Sequence, residues 1–160
     1  MRILFLAQIF ETPDDNGSDR IFFFAKELIK KGYLVKVITG NVDYKNASPR
    51  FESKTSVNKN YNGIEVTYTR VFTNFRGSFF RRFLFFISYI FSSFWELLKS
   101  SKDTDVIYGI STPLTVPFIS SIIAKYRGIP FIFEVTDVWP DAAVHSGVLR
   151  NRSVSYTHLT

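Results

Sequence analysis

One hundred and sixty residues, 46% of them hydrophobic, are enough for one α/β domain with a sizeable core. There is no cysteine, which excludes disulfides, thiolate metal sites and a cysteine nucleophile, and fits a reducing compartment. A formal charge of +6 directs the search toward nucleic acid, an anionic membrane or acidic ligands, and only the placement of that charge can choose among them.

The chain opens on Ile3-Leu4-Phe5-Leu6-Ala7, an unbroken apolar run that suits a strand buried on both faces of a parallel sheet. It is too short for the apolar region of a signal peptide, and no small-residue cleavage site follows it closely. A polar, turn-forming loop comes next, ending in Asp14-Asp15-Asn16-Gly17-Ser18. Ile21, Phe24, Ala25, Leu28 and Ile29 then recur at three- and four-residue spacing and predict a helix with one buried face. Gly32 is placed to end it, because glycine adopts the left-handed conformation of a helix stop at low cost. Leu34-Val35-Lys36-Val37-Ile38-Thr39 completes a β-α-β unit, so the loop over residues 9–18 lies at the carboxyl end of a strand, where α/β sheets bind ligands.

Residues 40–62 are polar and irregular and read as a long surface excursion. Asn62-Gly63 is a turn signal, and Ile64-Glu65-Val66-Thr67-Tyr68-Thr69 alternates like a strand with one face exposed. Arg70, Arg76, Arg81 and Arg82 lead into an apolar, aromatic run from position 83 to 98, closed by Lys99 and Lys102. That run falls short of the roughly twenty residues needed to span a bilayer and is interrupted by Ser88, Ser92 and Ser93. It predicts a helix packed on the sheet; an arginine-flanked start whose Phe79, Phe80, Arg81 and Arg82 contact lipid headgroups is compatible with that, and a true transmembrane helix is the remaining alternative. A buried strand at 105–111, a helix from about 114 to 126 stopped by Gly128, and a further buried strand at 129–135 follow. Strands alternating with helices imply an α/β fold with a doubly wound, mostly parallel, Rossmann-like sheet.

The strand-end rule gathers three loops on one rim: residues 8–18, 111–115 and 136–141. In the first, Asn16, Gly17 and Ser18 precede a helix, whose outward N–H groups and dipole favour an anion such as a diphosphate; Ser18 as an ordinary helix cap is compatible with this. The pattern is neither G-x-G-x-x-G nor a Walker loop, which tells against classical NAD binding and P-loop chemistry. Asp137 directly follows a strand and could accept a proton from a substrate hydroxyl, orient that hydroxyl, or serve as a structural cap. Trp139 is a candidate pocket wall or a core aromatic, Glu134 a candidate satisfied buried acid, and His145 has no visible partner. With two histidines, no cysteine and no H-E-x-x-H, no metal site is expected. Nucleic acid is not an expected partner, since the aromatics form one apolar block rather than spaced stacking platforms.

Thr12-Pro13-Asp14-Asp15-Asn16-Gly17-Ser18, Phe24-Ala25-Lys26-Glu27-Leu28 and Lys31-Gly32-Tyr33-Leu34-Val35-Lys36-Val37-Ile38-Thr39 resemble the opening of the family 4 glycosyltransferases. Tyr61-Asn62-Gly63-Ile64-Glu65-Val66 resembles a strand of that family. Ser111-Thr112-Pro113-Leu114-Thr115 and Phe131-Ile132-Phe133-Glu134-Val135-Thr136-Asp137-Val138-Trp139-Pro140-Asp141-Ala142 resemble its fucosamine-transferase-like, colanic-acid-type branch. Thr136 stands where that branch usually has arginine, and Tyr33 where it usually has histidine, departures that bear on acceptor contacts.

The resemblance covers residues 1–152 and implies the acceptor-side, N-terminal Rossmann-like domain of a two-domain GT-B enzyme. The implied parent transfers a sugar from a nucleotide-sugar donor to a lipid-linked saccharide in bacterial surface polysaccharide synthesis. It would do so with retention of configuration and without a metal or other cofactor. Gly17, with Asn16 and Ser18, would form the donor diphosphate loop; Asp137 would face the reacting sugar; Ser111, Thr112 and Trp139 would lie on the acceptor side. The expected location is cytoplasmic, peripheral at the inner face of the plasma membrane. Residues 153–160 contain Val154-Ser155-Tyr156-Thr157-His158-Leu159-Thr160, which resembles a translated sequencing adapter and implies a non-native tail. The fragment alone is expected to be inactive, because the family's paired glutamates belong to the other domain. Two further readings stay open: a non-catalytic α/β ligand-binding module, and another GT-B enzyme such as a nucleotide-sugar epimerase.

Overall fold

The structure, a computed structural model, describes residues 1–15, 20–111 and 113–136. In chain order the elements are β1 (Arg2–Leu6), α1 (Arg20–Lys30), β2 (Leu34–Gly40), β3 (Val57–Tyr61), β4 (Ile64–Thr69), α2 (Phe79–Ser100), β5 (Val106–Ile110), α3 (Thr115–Arg127) and β6 (Phe131–Glu134). The strands form one sheet in the order β3-β4-β2-β1-β5-β6. All neighbours are parallel except β3, which pairs antiparallel with β4. With β3 set aside, the five parallel strands run third, second, first, fourth, fifth, which is the Rossmann order. The mostly parallel α/β sheet expected from the sequence is therefore present. Strand order reverses between β1 and β5, and their carboxyl ends flank the crevice this topology opens.

Side-chain alternation along β1 sorts the core into two layers. Ile3 and Phe5 point to one face, where they join Val35, Val37, Val66 and Tyr68 beneath Phe22 and Ala25 of α1. Leu4 and Leu6 point to the other and meet Ile38, Ile107, and Tyr89 and Leu97 of α2. Val116, Ile119 and Ile123 of α3 complete that second layer. Gly32 and Gly128 end α1 and α3 with φ of 83° and 69°, the left-handed stops read from the sequence.

Several expectations need correction. In α1 the buried aromatic is Phe22, while Phe24 is exposed and reaches back over Phe5 and Tyr108 by ring-edge contacts at 5.8 and 5.7 Å. The excursion is not wholly irregular. It contains β3, whose Val57-Asn58-Lys59-Asn60-Tyr61 carries little apolar signal because it is the exposed first strand of the sheet order. Asn62 and Gly63, with φ of 54° and 92°, make the tight turn into β4.

In β4 only Glu65 is exposed; α2 covers one face, and α1 with Phe51 of the excursion covers the other. Thr67 and Thr69 satisfy their buried hydroxyls through Asn58 Oδ1 and Thr39 O. Conversely β6, read as buried, exposes Ile132 and Phe133 as the last strand of the order.

The apolar helix is also longer than its sequence run suggested. At 22 residues α2 is continuous through its serines, and by length and composition alone it could cross a membrane. Its buried seam of Phe85, Tyr89, Ser93 and Leu97 nevertheless packs on the sheet. The Tyr89 hydroxyl donates to Ile38 O, Ser92 Oγ to Thr69 Oγ1 at 3.1 Å, and Phe72 N donates to Ser88 Oγ at 2.8 Å. The serines are thus ties between the helix and its surroundings.

Candidate functional site

At the carboxyl ends of the parallel strands lies a polar cleft of about 870 Å³, walled by the loop after β1, the start of α1, the excursion at residues 43–50, and the ends of β5 and β6. Its floor begins at Gln8, the first residue past Ala7. The Gln8 carbonyl accepts from Gly40 N at 3.0 Å and Thr39 Oγ1 at 3.2 Å, locking the end of β1 to β2. Gly40 eases this approach, since a Cβ there would stand 3.1 Å from that oxygen, a tight contact.

One wall is held by a carboxylate. Asp15 Oδ2 accepts from Thr12 N at 2.7 Å, Thr12 Oγ1 at 2.9 Å and Arg50 Nη1 at 2.8 Å. Burial pulls the Asp15 pKa up, but the Thr12 and Arg50 hydrogen bonds outweigh it and leave the carboxyl below its ordinary value. Burial works against the Arg50 charge too, yet Asp15 more than compensates and raises the guanidinium's pKa. Arg50 also lies over the Tyr68 ring, 5.8 Å from its centroid. Burial first, then a hydrogen bond to the Tyr61 hydroxyl, pushes the Tyr68 phenol up.

The opposite wall carries an ion pair between Arg20, the first residue of α1, and Glu134, the last of β6. Glu134 is therefore a satisfied acid, as the sequence suggested, although its side chain stays one-fifth exposed. The Tyr108 hydroxyl shares this acid; burial, reinforced by the Glu134 hydrogen bond and charge, pushes its pKa up to about 12. Beside Thr136 of this cleft and lining the adjoining one, Ser111 Oγ lies 2.8 Å from Thr136 Oγ1 and accepts from Thr136 N at 2.8 Å.

Among the residues expected at the site, Ser111 is buried at the end of β5 and tied to Thr136. Asn16, Gly17, Ser18, Thr112, Asp137 and Trp139 lie outside the described residues. Their described flanks, Asp15 and Arg20 on one side and Ser111 and Thr136 on the other, border the rim. Phe79, Phe80, Arg81 and Arg82 do not join this cleft; they occupy the exposed first turn of α2. Sequence reasoning put Gln8 on the rim as the start of the first loop, but missed Arg50 and the pairing of Arg20 with Glu134. Asp15 and Glu134 were visible as acids, but their partners stand 35 and 114 positions away, beyond any local pattern.

A second cleft of about 630 Å³ adjoins the first and shares Gln8, Ile9 and Tyr44 with it. Its walls are mainly apolar, from Phe75, Phe85, Phe86 and Leu114, with Arg76 and Arg82 on the α2 side. Among the described residues no group of three or more histidines and carboxylates is placed to hold a metal ion.

Carboxylates and guanidinium groups facing a polar cleft suit a hydroxyl-rich or phosphorylated ligand, since the first accept from hydroxyls and the second donate to phosphate oxygens. Compared with known proteins, the chain matches no family model, and no curated protein matches it significantly.

Proposed function

We propose that this chain is the acceptor-side half of a GT-B glycosyltransferase that moves a sugar from a nucleotide donor to a lipid-linked saccharide. The carrying observation is the position of the polar cleft: it opens at the point where strand order reverses, between the ends of β1 and β5, where Rossmann sheets bind their ligands. The resemblance of the β1 loop and of residues 131–142 to family 4 glycosyltransferases supplies the reaction class.

On this reading Gly17, with Asn16 and Ser18, faces the donor diphosphate, and Asp137 faces the reacting sugar. Ser111, Thr112 and Trp139 lie toward the acceptor. The basic, aromatic start of α2 rests on the anionic cytoplasmic leaflet and brings the rim to its lipid-borne substrate.

The test uses the full-length transferase that this reading implies, supplied with radiolabelled nucleotide sugars and membrane lipid extract. Label is expected in the lipid fraction with that protein and not with the 160-residue chain. Transfer by the short chain, or none by the longer protein with any nucleotide sugar, contradicts the proposal.

A further inference from the structure

We propose that the second cleft binds a single-chain lipid phosphate, with its phosphate at Arg82 and its chain against Phe75, Phe85, Phe86 and Leu114. Three observations carry this. First, the lining combines apolar walls with two arginines, and no acidic residue lies among its described members, so the site complements an anion joined to an apolar chain. Second, the two arginines differ. Arg76 is spent on the carbonyls of Tyr44 and Lys45, which braces the wall between the two clefts. Arg82 follows Ser78 by one helical turn, and its guanidinium has no partner among the described residues.

Third, the side-chain Nε2 of Gln8 is buried without a hydrogen-bond partner among the described residues, and Gln8 stands where the clefts meet. A buried unpaired donor is costly, so an oxygen-rich group delivered between the clefts would relieve it. Phe79 and Phe80, 87% and 64% exposed, share the first turn of α2 with Arg82 and offer apolar surface toward a membrane. The binding chemistry stands on these side chains; only the identification of the ligand as the transferase acceptor rests on the reading above.

The probe is decyl phosphate below its micelle concentration, titrated calorimetrically into the folded 160-residue chain beside inorganic phosphate and decanol. Saturable binding is expected, about tenfold or more tighter than either control, since each control lacks one half of the recognition. Arg82→Ala should weaken it about tenfold, the worth of one charge-assisted hydrogen bond, and Gln8→Met by a smaller factor. Arg81→Glu, whose residue does not line the cleft, should leave it unchanged while weakening adhesion to vesicles of anionic lipid.

Absence of saturable binding, equal binding of decanol, or an Arg82→Ala chain that binds as well as the parent would overturn the proposal. So would an Arg81 variant as impaired as the Arg82 one, which would mark surface adsorption. Decyl phosphate binding without sugar transfer by the longer protein would remove the transferase reading and keep this site. Transfer without decyl phosphate binding would do the reverse.

Discussion

Asp15 and Arg50 set the shape of the rim one residue at a time. The carboxylate fixes the turn after Thr12, and the guanidinium ties that turn to the part of the excursion before β3, which also meets the sheet where Phe51 packs on Tyr68 and bonds the Asn41 amide. A double-mutant cycle with Asp15→Asn and Arg50→Met should give a coupling of about 1–2 kcal/mol, measured by urea unfolding. The sign with pH follows from the depressed Asp15 pKa. Its stabilisation is fully present above the ordinary carboxyl range near about pH 4, and is lost as pH falls through the lower folded value. The stability gap between parent and Asp15→Asn should therefore shrink from about pH 5 to pH 2; a constant gap would show that the charge is not what matters. At this scale the sequence is least legible. Asp15 stood in view within a turn-forming loop, but nothing near position 50 announces that its arginine folds back onto it.

At the scale of elements, legibility follows hydrophobic contrast. β1, β2 and β5 were plain because both their faces are covered, and the stops at Gly32 and Gly128 because only a left-handed residue fits there. β3 was invisible because an exposed outer strand needs no apolar side chains, and β4 seemed half-exposed because its threonines are buried yet polar. The second helix shows the opposite ambiguity, since its apolar residues serve two surfaces. One seam packs on the sheet, while only 22% of its most apolar window is buried, and Phe79, Phe80, Phe91 and Trp95 face outward. If its basic start docks on lipid, Arg81→Glu with Arg82→Glu should weaken co-sedimentation with anionic vesicles by about thirtyfold or more, from roughly 1 kcal/mol per lost surface cation. Binding that is unchanged, or equally strong on neutral vesicles, would remove the membrane role from this helix.

For the whole molecule, topology does the placing. Because the first strand lies at the centre and later strands build outward on both sides, residues far apart in sequence end on one edge. Gln8, Ser111 and Thr136 close three different strands, and Arg20 reaches the same rim from the start of α1. The rim could be foreseen from strand order alone. The two adjoining clefts, one polar and one apolar, could not, because their division depends on where the excursion and α2 settle. On the proposed reading they are half of a site for a ligand that is polar at one end and oily at the other. The most direct measurement is an amide-shift titration of the isotopically labelled chain with a short-chain prenyl diphosphate monosaccharide. Saturable shifts are expected at Gln8, Arg20, Ser111 and Thr136. Shifts confined to β3 or to the outer face of α3, or no shifts at all, would contradict a substrate site on this rim.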